Sequence, residues 1–244
     1  MWRIFNLLPG KIGMTNSLTR TKWLEGALRK VPSGWRILDA GCGEQQFRRL
    51  CRHLDYVGQD FAEYDGVADG RGLQTGTWQV KTDIVCDITK IPEADCSFDA
   101  VMCVEVLEHV PDPVVALREL SRLLKPGGYM IVTAPFCSLA HFTPYHFCTG
   151  FSRYWYESHF NSLGFEILDL QANGNFFEYI AQEVRRVPLM AIRHCSRATA
   201  AVAFIGFGLF GLPLLCVLRL LALRDRGSAD VLCFGYQVLA RRQI

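Results

Sequence analysis

The chain has 244 residues, with 26 lysines and arginines against 24 aspartates and glutamates and a formal net charge of +2. Half of the residues are hydrophobic, enough to bury the core of one large or two small domains. A charged fraction of 20% with 12% aromatic residues excludes a disordered chain. The near-zero net charge gives no electrostatic footprint for a nucleic acid, so we expect no nucleic-acid partner.

Most of the apolar excess lies in one segment between Ala198 and Leu218, ATAAVAFIGFGLFGLPLLCVL, which carries no charge and has the length of a membrane span. The N-terminus, MWRIFNLLPGKIG, has too short an apolar run for a secretory signal and no small-residue cleavage site. The ten cysteines include no C-x-x-C pair and several lie in apolar runs, which favours reduced core thiols over a metal site. We therefore expect a cytoplasmic chain without a metal.

The predicted elements alternate between helix and strand after a first helix over residues 18–30. Alternation of this kind indicates a parallel sheet with helices on both faces. Short apolar runs predict buried strands, and apolar residues at helical spacing predict the helices between them. The predicted strands are 37–40, 56–58, 83–86, 100–104, 130–134, 165–170 and 232–240, and the helices among them are 47–53, 114–124 and 153–163.

The first predicted strand runs into a turn, ILDAGCGEQ, that contains Gly41 and Gly43. Two glycines let the backbone approach a ligand closely, and such turns at the carboxyl ends of parallel strands bind cofactors. The GxG pair alone is a weak signal, because a tight turn without a ligand has the same letters.

Carboxylates follow four successive predicted strands, where parallel strands present their carboxyl ends at one edge. A carboxylate at the end of the second strand suits a ribose diol, since it accepts hydrogen bonds from two hydroxyl groups. A carboxylate beside the glycine turn repels a pyrophosphate. The pattern therefore predicts a cationic nucleoside without phosphate, a description that S-adenosyl-L-methionine fits. The four carboxylates are Asp39, Asp60, Asp87 and Glu105.

Five segments together resemble class I S-adenosylmethionine-dependent methyltransferases of the type 11 kind: ILDAGCG, YVGQD, DIVCDITKIP, FDAVMCVEVLEHVPDP and LLKPGGYMIVTAP. The resemblance covers residues 35–170 and the final strand. It implies an α/β fold with a Rossmann-like, doubly wound, mostly parallel seven-stranded sheet whose antiparallel C-terminal strand enters beside the strand at Phe165. Many members have a third glycine where this chain has Gln45, so we expect the following helix to start farther from the cofactor.

The resemblance also implies roles for individual residues in binding S-adenosyl-L-methionine. It assigns Asp39, Gly41 and Gly43, with Ala40 between them, to the methionine part. It assigns Asp60 to the ribose, with Phe61 next to it, and Asp87 with Ile88 to the adenine. Val104 and Glu105 are assigned to the methyl-bearing end.

Three histidines are candidates for a catalytic base: His109, His141 and His146. His109 lies in EVLEHV, which resembles a segment of quinone-type O-methyltransferases that lies near the active site, and the other two lie in PFCSLAHFTPYHF. The aromatic residues of this second segment are predicted to roof the acceptor pocket. Two other interpretations stay open. Glu108 and His109 could cap and orient the next helix, and the histidines of the second segment could be structural groups under a packed lid.

The sequence divides into an N-terminal segment and helix (1–34), a methyltransferase domain (35–180 and 230–244) and an inserted apolar helical segment (181–229). A transmembrane helix would separate the last strand from its sheet, and basic residues flank the apolar run on both sides. Gly211 and Pro213 are predicted to break the run into pieces too short to span. These observations favour a monotopic membrane anchor built as a hairpin. The alternative is a helical pair buried against the protein or in a homodimer interface.

The sequence thus predicts a methyltransferase that acts on a small or lipid-linked acceptor at the cytoplasmic membrane face, in quinone or envelope-glycan chemistry. It does not say whether the acceptor atom is O, N or C. The alternatives are a NAD-type nucleotide oxidoreductase, which Asp39 and Gln45 disfavour, and a non-catalytic, membrane-attached cofactor-binding protein.

Overall fold

The computed structural model describes residues 9–67 and 69–244. The chain forms two compact units. One unit contains the described residues up to Arg20 together with Ala172–Phe234, and the other contains Thr21–Gln171 together with Gly235–Ile244.

The larger unit is built on a seven-stranded sheet with the order β3-β2-β1-β4-β5-β7-β6. Strand β1 pairs in parallel with β2 and β4, β2 pairs in parallel with β3, and β4 pairs in parallel with β5. Strand β7 lies between β5 and β6 and runs antiparallel to β5. The predicted fold class is therefore confirmed. The strands are β1 Arg36–Ala40, β2 Asp55–Asp60, β3 Ile84–Val85, β4 Phe98–Val104, β5 Leu124–Pro135, β6 Phe165–Asn173 and β7 Gly235–Arg242.

Helices α1 (Asn16–Leu28), α2 (Pro113–Leu123) and α3 (Arg153–Ser162) lie where the sequence predicts helices. The start of α2 is fixed by its sequence, because Pro113 occupies the first turn and the Asp112 side chain accepts a hydrogen bond from the backbone N–H of Val115. Its buried residues recur at helical spacing, which turns one face of the helix into the core. These residues are Ala116, Leu117, Leu120, Ser121 and Leu123.

The core of the larger unit holds the sheet edge in place. Leu24 and Leu28 of α1 pack in one buried cluster with side chains of β1 and β4, among them Ile37 and Met102. Complete burial of each leucine or isoleucine contributes about 1.5–3 kcal/mol. The close-packed core therefore fixes the positions of the carboxyl ends of β1, β2 and β4.

The helix predicted over residues 47–53 is wrong, because only one 3₁₀ turn, Arg48–Cys51, forms there. Gly41, Gly43 and Gln45 all have positive φ values, +73°, +50° and +57°. The chain is still turning in the left-handed region at Gln45, and strand β2 begins ten residues later. The nine residues between these points, 46–54, hold only that single 3₁₀ turn.

Two long helices dominate the smaller unit. Helix α4 (Phe176–His194) is followed, after two residues, by α5 (Arg197–Gly206), a π-helical turn (Phe207–Gly211) and α6 (Leu212–Ala222). The last three elements form one continuous helix, Arg197–Ala222, here called the apolar helix. It packs against α4 through a buried cluster that contains Ile12, Ala181, Leu215 and Leu218.

The predicted break at Gly211 and Pro213 is therefore wrong, and the hairpin is formed by α4 and the apolar helix. The π-helical turn lies directly before Pro213, which occupies the first turn of α6. A widened turn accommodates the missing proline N–H without ending the helix. Within the described part of the chain, the apolar helix is the one helix long and apolar enough to cross a membrane, and only 17% of its most apolar stretch is buried.

Candidate cofactor and acceptor site

The glycine turn after β1 is closely packed on both sides. A Cβ atom on Gly41 would collide with the Val106 side chain, and one on Gly43 would collide with the Trp78 ring. Both glycines also have φ values in the left-handed region. Glycine is therefore required at both positions, and the bare backbone of the turn faces two side chains from later in the sequence.

Asp60, at the end of β2, ties this turn to the sheet. One carboxylate oxygen accepts a hydrogen bond from the backbone N–H of Gly43 at 2.9 Å, and the other accepts one from Ala62 at 2.9 Å. Asp60 is 6% exposed. Each oxygen retains a second lone pair, so the carboxylate can accept further bonds from ligand hydroxyl groups.

Asp39 is the buried charge at the end of β1. Its carboxylate accepts a hydrogen bond from the Tyr56 hydroxyl at 2.6 Å. Burial raises the pKa of Asp39 to about 7, the hydrogen bond from Tyr56 acts in the opposite direction, and the neighbouring Asp60 adds to the increase. A cation placed beside this carboxylate would stabilise its charged form, so the position suits a positively charged ligand.

Gln59 is a site residue that the sequence pattern did not reveal. Its side-chain oxygen accepts a bond from the backbone N–H of Gly41 at 3.3 Å, and its side-chain nitrogen donates to the carbonyl of Cys86 at 2.7 Å. The side chain therefore joins the glycine turn to the end of β3. The exposed Asp87 follows there and accepts bonds from the backbone and hydroxyl of Thr89 at 2.8 and 2.7 Å, while Ile88 is buried.

Glu105 is a strained residue at the end of β4. Its φ of +57° is uncommon for a residue with a side chain. Its backbone N–H donates to the carbonyl of Thr133 at 2.8 Å, and its carboxylate accepts a bond from the Thr133 hydroxyl at 2.8 Å. Neighbouring Val104 is buried in the core. Strand β5 thus holds the carboxylate at the sheet edge.

The three predicted histidines lie together. The ring centroids of His109 and His141 are 4.6 Å apart, those of His141 and His146 are 5.0 Å apart, and those of His109 and His146 are 5.9 Å apart. Below them Glu108 is fully buried, with one carboxylate oxygen 3.8 Å from Nε2 of His109 and 4.0 Å from Nε2 of His141.

Two loops meet beside the histidine cluster, and we call them the roof, defined as residues 61–67, 69–82 and 136–150. Their backbones meet where Leu73 donates to the carbonyl of Ala140 at 2.9 Å and Phe142 donates to that of Leu73 at 3.1 Å. The Phe142 ring lies 5.2 Å from both Trp78 and His109. The aromatic lining predicted for the second loop is thus extended by residues of the first loop that the sequence pattern did not indicate. Phe61 and Tyr145 add an edge contact at 4.9 Å, and Tyr64 contacts Phe142 at 4.6 Å.

Comparison with known proteins identifies relatives for part of the chain. Residues 38–132 match a family model described as a methyltransferase domain. The ubiquinone biosynthesis O-methyltransferase of Xylella fastidiosa is 38% identical over 120 residues, 47% of this chain and 48% of that protein. The protein of the same name from Leptothrix cholodnii is 32% identical over 47% of this chain and 49% of its own length. The chain therefore spans about half the length of the curated relatives it matches.

Solved structures share the fold over most of the chain. A putative sarcosine dimethylglycine methyltransferase from Galdieria sulphuraria matches with a TM-score of 0.53 and 19% identity, covering 93% of this chain and 86% of its own. Geranyl diphosphate methyltransferase, solved in complex with SAM, matches with a TM-score of 0.53 and 14% identity over 92% and 84%. The [4+2]-cyclase SpnF matches with a TM-score of 0.52 and 21% identity over 91% and 80%.

The presence of a cyclase among these structures means that the fold alone does not decide the reaction. The family match adds information about the reaction, because the matched residues include the strands and turns that build the site described above. Residues 38–132 of this chain are a methyltransferase domain with the class I fold, as the sequence motifs predict.

Proposed function

We propose that this protein is an S-adenosyl-L-methionine-dependent methyltransferase that transfers the methyl group to a hydroxyl oxygen of a small or lipid-linked acceptor. The observation that carries the proposal is the glycine turn fixed by Asp60 beside the buried carboxylate of Asp39. A bare backbone turn next to an acidic group suits a cationic nucleoside and opposes a pyrophosphate.

The cofactor would bind along the carboxyl ends of β1 to β4 and supply an electrophilic methyl group. Asp39 balances its positive charge, and the backbone of the turn from Asp39 through Ala40 and Gly41 to Gly43 follows the methionine part. Asp60, with Phe61 beyond it, accepts bonds from the ribose hydroxyls. At the adenine end the proposed contacts are Asp87 and Ile88, and beside the methyl group they are Val104 and Glu105.

A hydroxyl acceptor is favoured because the relatives named above are O-methyltransferases and because imidazoles gather under the roof. Methyl transfer to oxygen requires loss of the hydroxyl proton, and a positioned imidazole accepts such a proton near neutral pH. His109, His141 and His146 are the proposed catalytic residues, and the roof excludes water from the reacting atoms. The effect of substituting each histidine on turnover distinguishes a catalytic role from a purely structural one.

The apolar helix supports attachment to one membrane face. The helix is 26 residues long, or about 39 Å, so its length alone would allow it to cross a hydrocarbon core of about 30 Å. A crossing would carry its packing partner α4 into the bilayer as well, and α4 holds Glu183, Arg185 and Arg186. Charges in that position are costly, so an orientation in the membrane plane is favoured.

The exposed face of the apolar helix has the chemistry of an interfacial anchor. Leu209 and Phe210 of the π-helical turn are 64% and 75% exposed. Basic residues lie near both ends of the helix, among them Arg193 and Arg224, where they can meet anionic headgroups. We propose that this face, rather than a homodimer interface, brings the chain to a hydrophobic acceptor at the cytoplasmic side.

A turnover assay tests the reaction. With S-adenosyl-L-methionine and a phenol or prenylated phenol we expect S-adenosylhomocysteine and a methyl ether, both detected by mass spectrometry. H141Q and H146Q should each lower kcat at least about tenfold while cofactor affinity changes less than about threefold, because a general base contributes to turnover and not to cofactor binding. The control H194Q alters an exposed histidine at the end of α4 and should leave turnover unchanged. Full activity in H109Q, H141Q and H146Q would contradict the assignment of a base.

Because the pKa of Asp39 is raised, we expect its carboxyl group to release a proton when the cationic cofactor binds. Because the cation favours the charged carboxylate, affinity should rise with pH up to about pH 7 and then level off. Calorimetry in two buffers of different ionisation enthalpy measures the released proton. Removing the Tyr56 hydrogen bond in Y56F should move the midpoint to higher pH, and D39N should abolish the dependence and weaken binding. A pH-independent affinity in the unaltered chain would contradict the role of Asp39.

Vesicle sedimentation tests the anchor. The chain should sediment with anionic phospholipid vesicles, and the double substitution L209D/F210D should leave it in the supernatant, because a buried carboxylate opposes insertion. Tyr154 has the same exposed fraction as Phe210, 76% against 75%, so Y154D is the matched control and should still sediment. Deleting the helix is a poorer test, since Leu215 and Leu218 belong to a core. A dimer without vesicle binding would support the alternative interface.

A further inference from the structure

The histidine cluster has the geometry of a metal site. One ligand nitrogen from each of His109, His141 and His146 lies within 4.8 Å of the others. A tetrahedral zinc ion with bonds of about 2.0 Å separates its ligand atoms by about 3.3 Å. Small side-chain rotations therefore suffice to bring the three nitrogens onto one ion.

Two of the imidazoles are already oriented as metal ligands. Nδ1 of His109 contacts the carbonyl of Tyr145, and Nδ1 of His141 contacts that of Leu139 at 2.8 Å. A carbonyl can only accept, so each Nδ1 carries the proton and each Nε2 has a lone pair. Backbone carbonyls commonly fix the tautomer of ligating histidines in this way. The two Nε2 atoms face the Glu108 carboxylate.

His146 supplies an independent observation. Within residues 9–67 and 69–244, neither of its ring nitrogens has a hydrogen-bond partner, although both atoms are buried. A buried imidazole nitrogen without a partner is costly, and an ion bound to it removes that cost. The Glu108 carboxylate, fully buried beside the cluster, provides negative charge that a bound divalent cation would balance.

We propose that His109, His141 and His146 bind a divalent transition-metal ion, best suited by zinc, with Glu108 as the adjacent carboxylate. Imidazole nitrogen is a borderline ligand that favours zinc over calcium or magnesium, and zinc also accepts a carboxylate oxygen. If Glu108 remains a charge partner only, the fourth position is open to an acceptor oxygen.

This site would be a binding function of the chain in its own right, because its formation does not depend on methyl transfer. It also changes how the histidines would act in the proposed reaction. A hydroxyl group bound to the ion would lose its proton to bulk water more readily than a free hydroxyl group does, so a free imidazole base would not be needed. Metal binding and turnover are therefore measured separately.

Binding of zinc and cobalt ions to the full, chelator-stripped chain tests the inference. Calorimetry with Zn²⁺ should give one ion per chain, and Co²⁺ should give the visible absorption of a four- or five-coordinate nitrogen and oxygen site. H141Q and H146Q should each weaken Zn²⁺ binding at least about tenfold. The controls H194Q and C195S alter an exposed histidine and an exposed cysteine outside the roof and should bind as the unaltered chain does.

A second measurement needs no variant and so is independent of how the variants fold. X-ray absorption of the zinc-loaded, unaltered chain should show nitrogen and oxygen neighbours with imidazole scattering. Sulfur neighbours, or Zn²⁺ binding no tighter in the unaltered chain than in H141Q, would overturn the inference. Methyl transfer by a chain that binds no metal would leave the proposed function standing and reject the metal site, whereas metal binding without methyl transfer would do the reverse.

Discussion

The hydrogen bond from the backbone N–H of Gly43 to the carboxylate of Asp60 is the contact on which the site depends. It joins a turn whose two glycines have no side chains to a strand end that is fixed by the sheet. Asp60 is almost completely buried, so the bond is shielded from water and both carboxylate oxygens are held by backbone groups. Gln59 repeats this connection one residue earlier, between Gly41 and Cys86. The turn is thereby preorganised for a ligand before any ligand arrives.

A second set of backbone hydrogen bonds brings the segments that carry the three histidines together. The backbone carbonyl of Glu108 accepts hydrogen bonds from Phe147 at 2.9 Å and Cys148 at 3.1 Å, which fastens the loop after β5 to the segment after β4. His109 therefore meets two histidines that lie more than thirty positions later in the chain. The same arrangement places the buried carboxylate of Glu108 beside three half-buried imidazoles. Such a concentration of polar groups is costly for folding and is typical of a functional site.

The sequence predicts the sheet well because its signals are local. Buried strands, the glycine turn and the Pro113 start of α2 each depend on residues within a few positions of one another. Prediction fails where a tertiary or longer-range effect decides. The run at 47–53 has helical spacing, but Gln45 adopts a φ of +57°, the conformation that a third glycine would provide, and the helix does not form. At Pro213 a π-helical turn keeps continuous a helix that a proline and a glycine were expected to divide.

The site shows the same division between local and tertiary information. The carboxylates at strand ends and the three histidines are identifiable from sequence, because strand ends of a parallel sheet meet at one edge. Trp78 and Gln59 cannot be identified from sequence, since only the folded chain brings Trp78 against Gly43 and Gln59 against Gly41. The buried position of Glu108 beneath the histidines depends in turn on how the loop after β5 folds back.

Binding of a cationic nucleoside at the turn between β1 and β2 is tested most directly by calorimetric titration of the purified chain with S-adenosyl-L-methionine and, separately, with NAD. We expect saturable binding of one S-adenosyl-L-methionine per chain, with NAD binding at least about a hundredfold more weakly because its pyrophosphate meets the Asp39 carboxylate. Saturable binding of NAD with no binding of S-adenosyl-L-methionine would contradict this expectation.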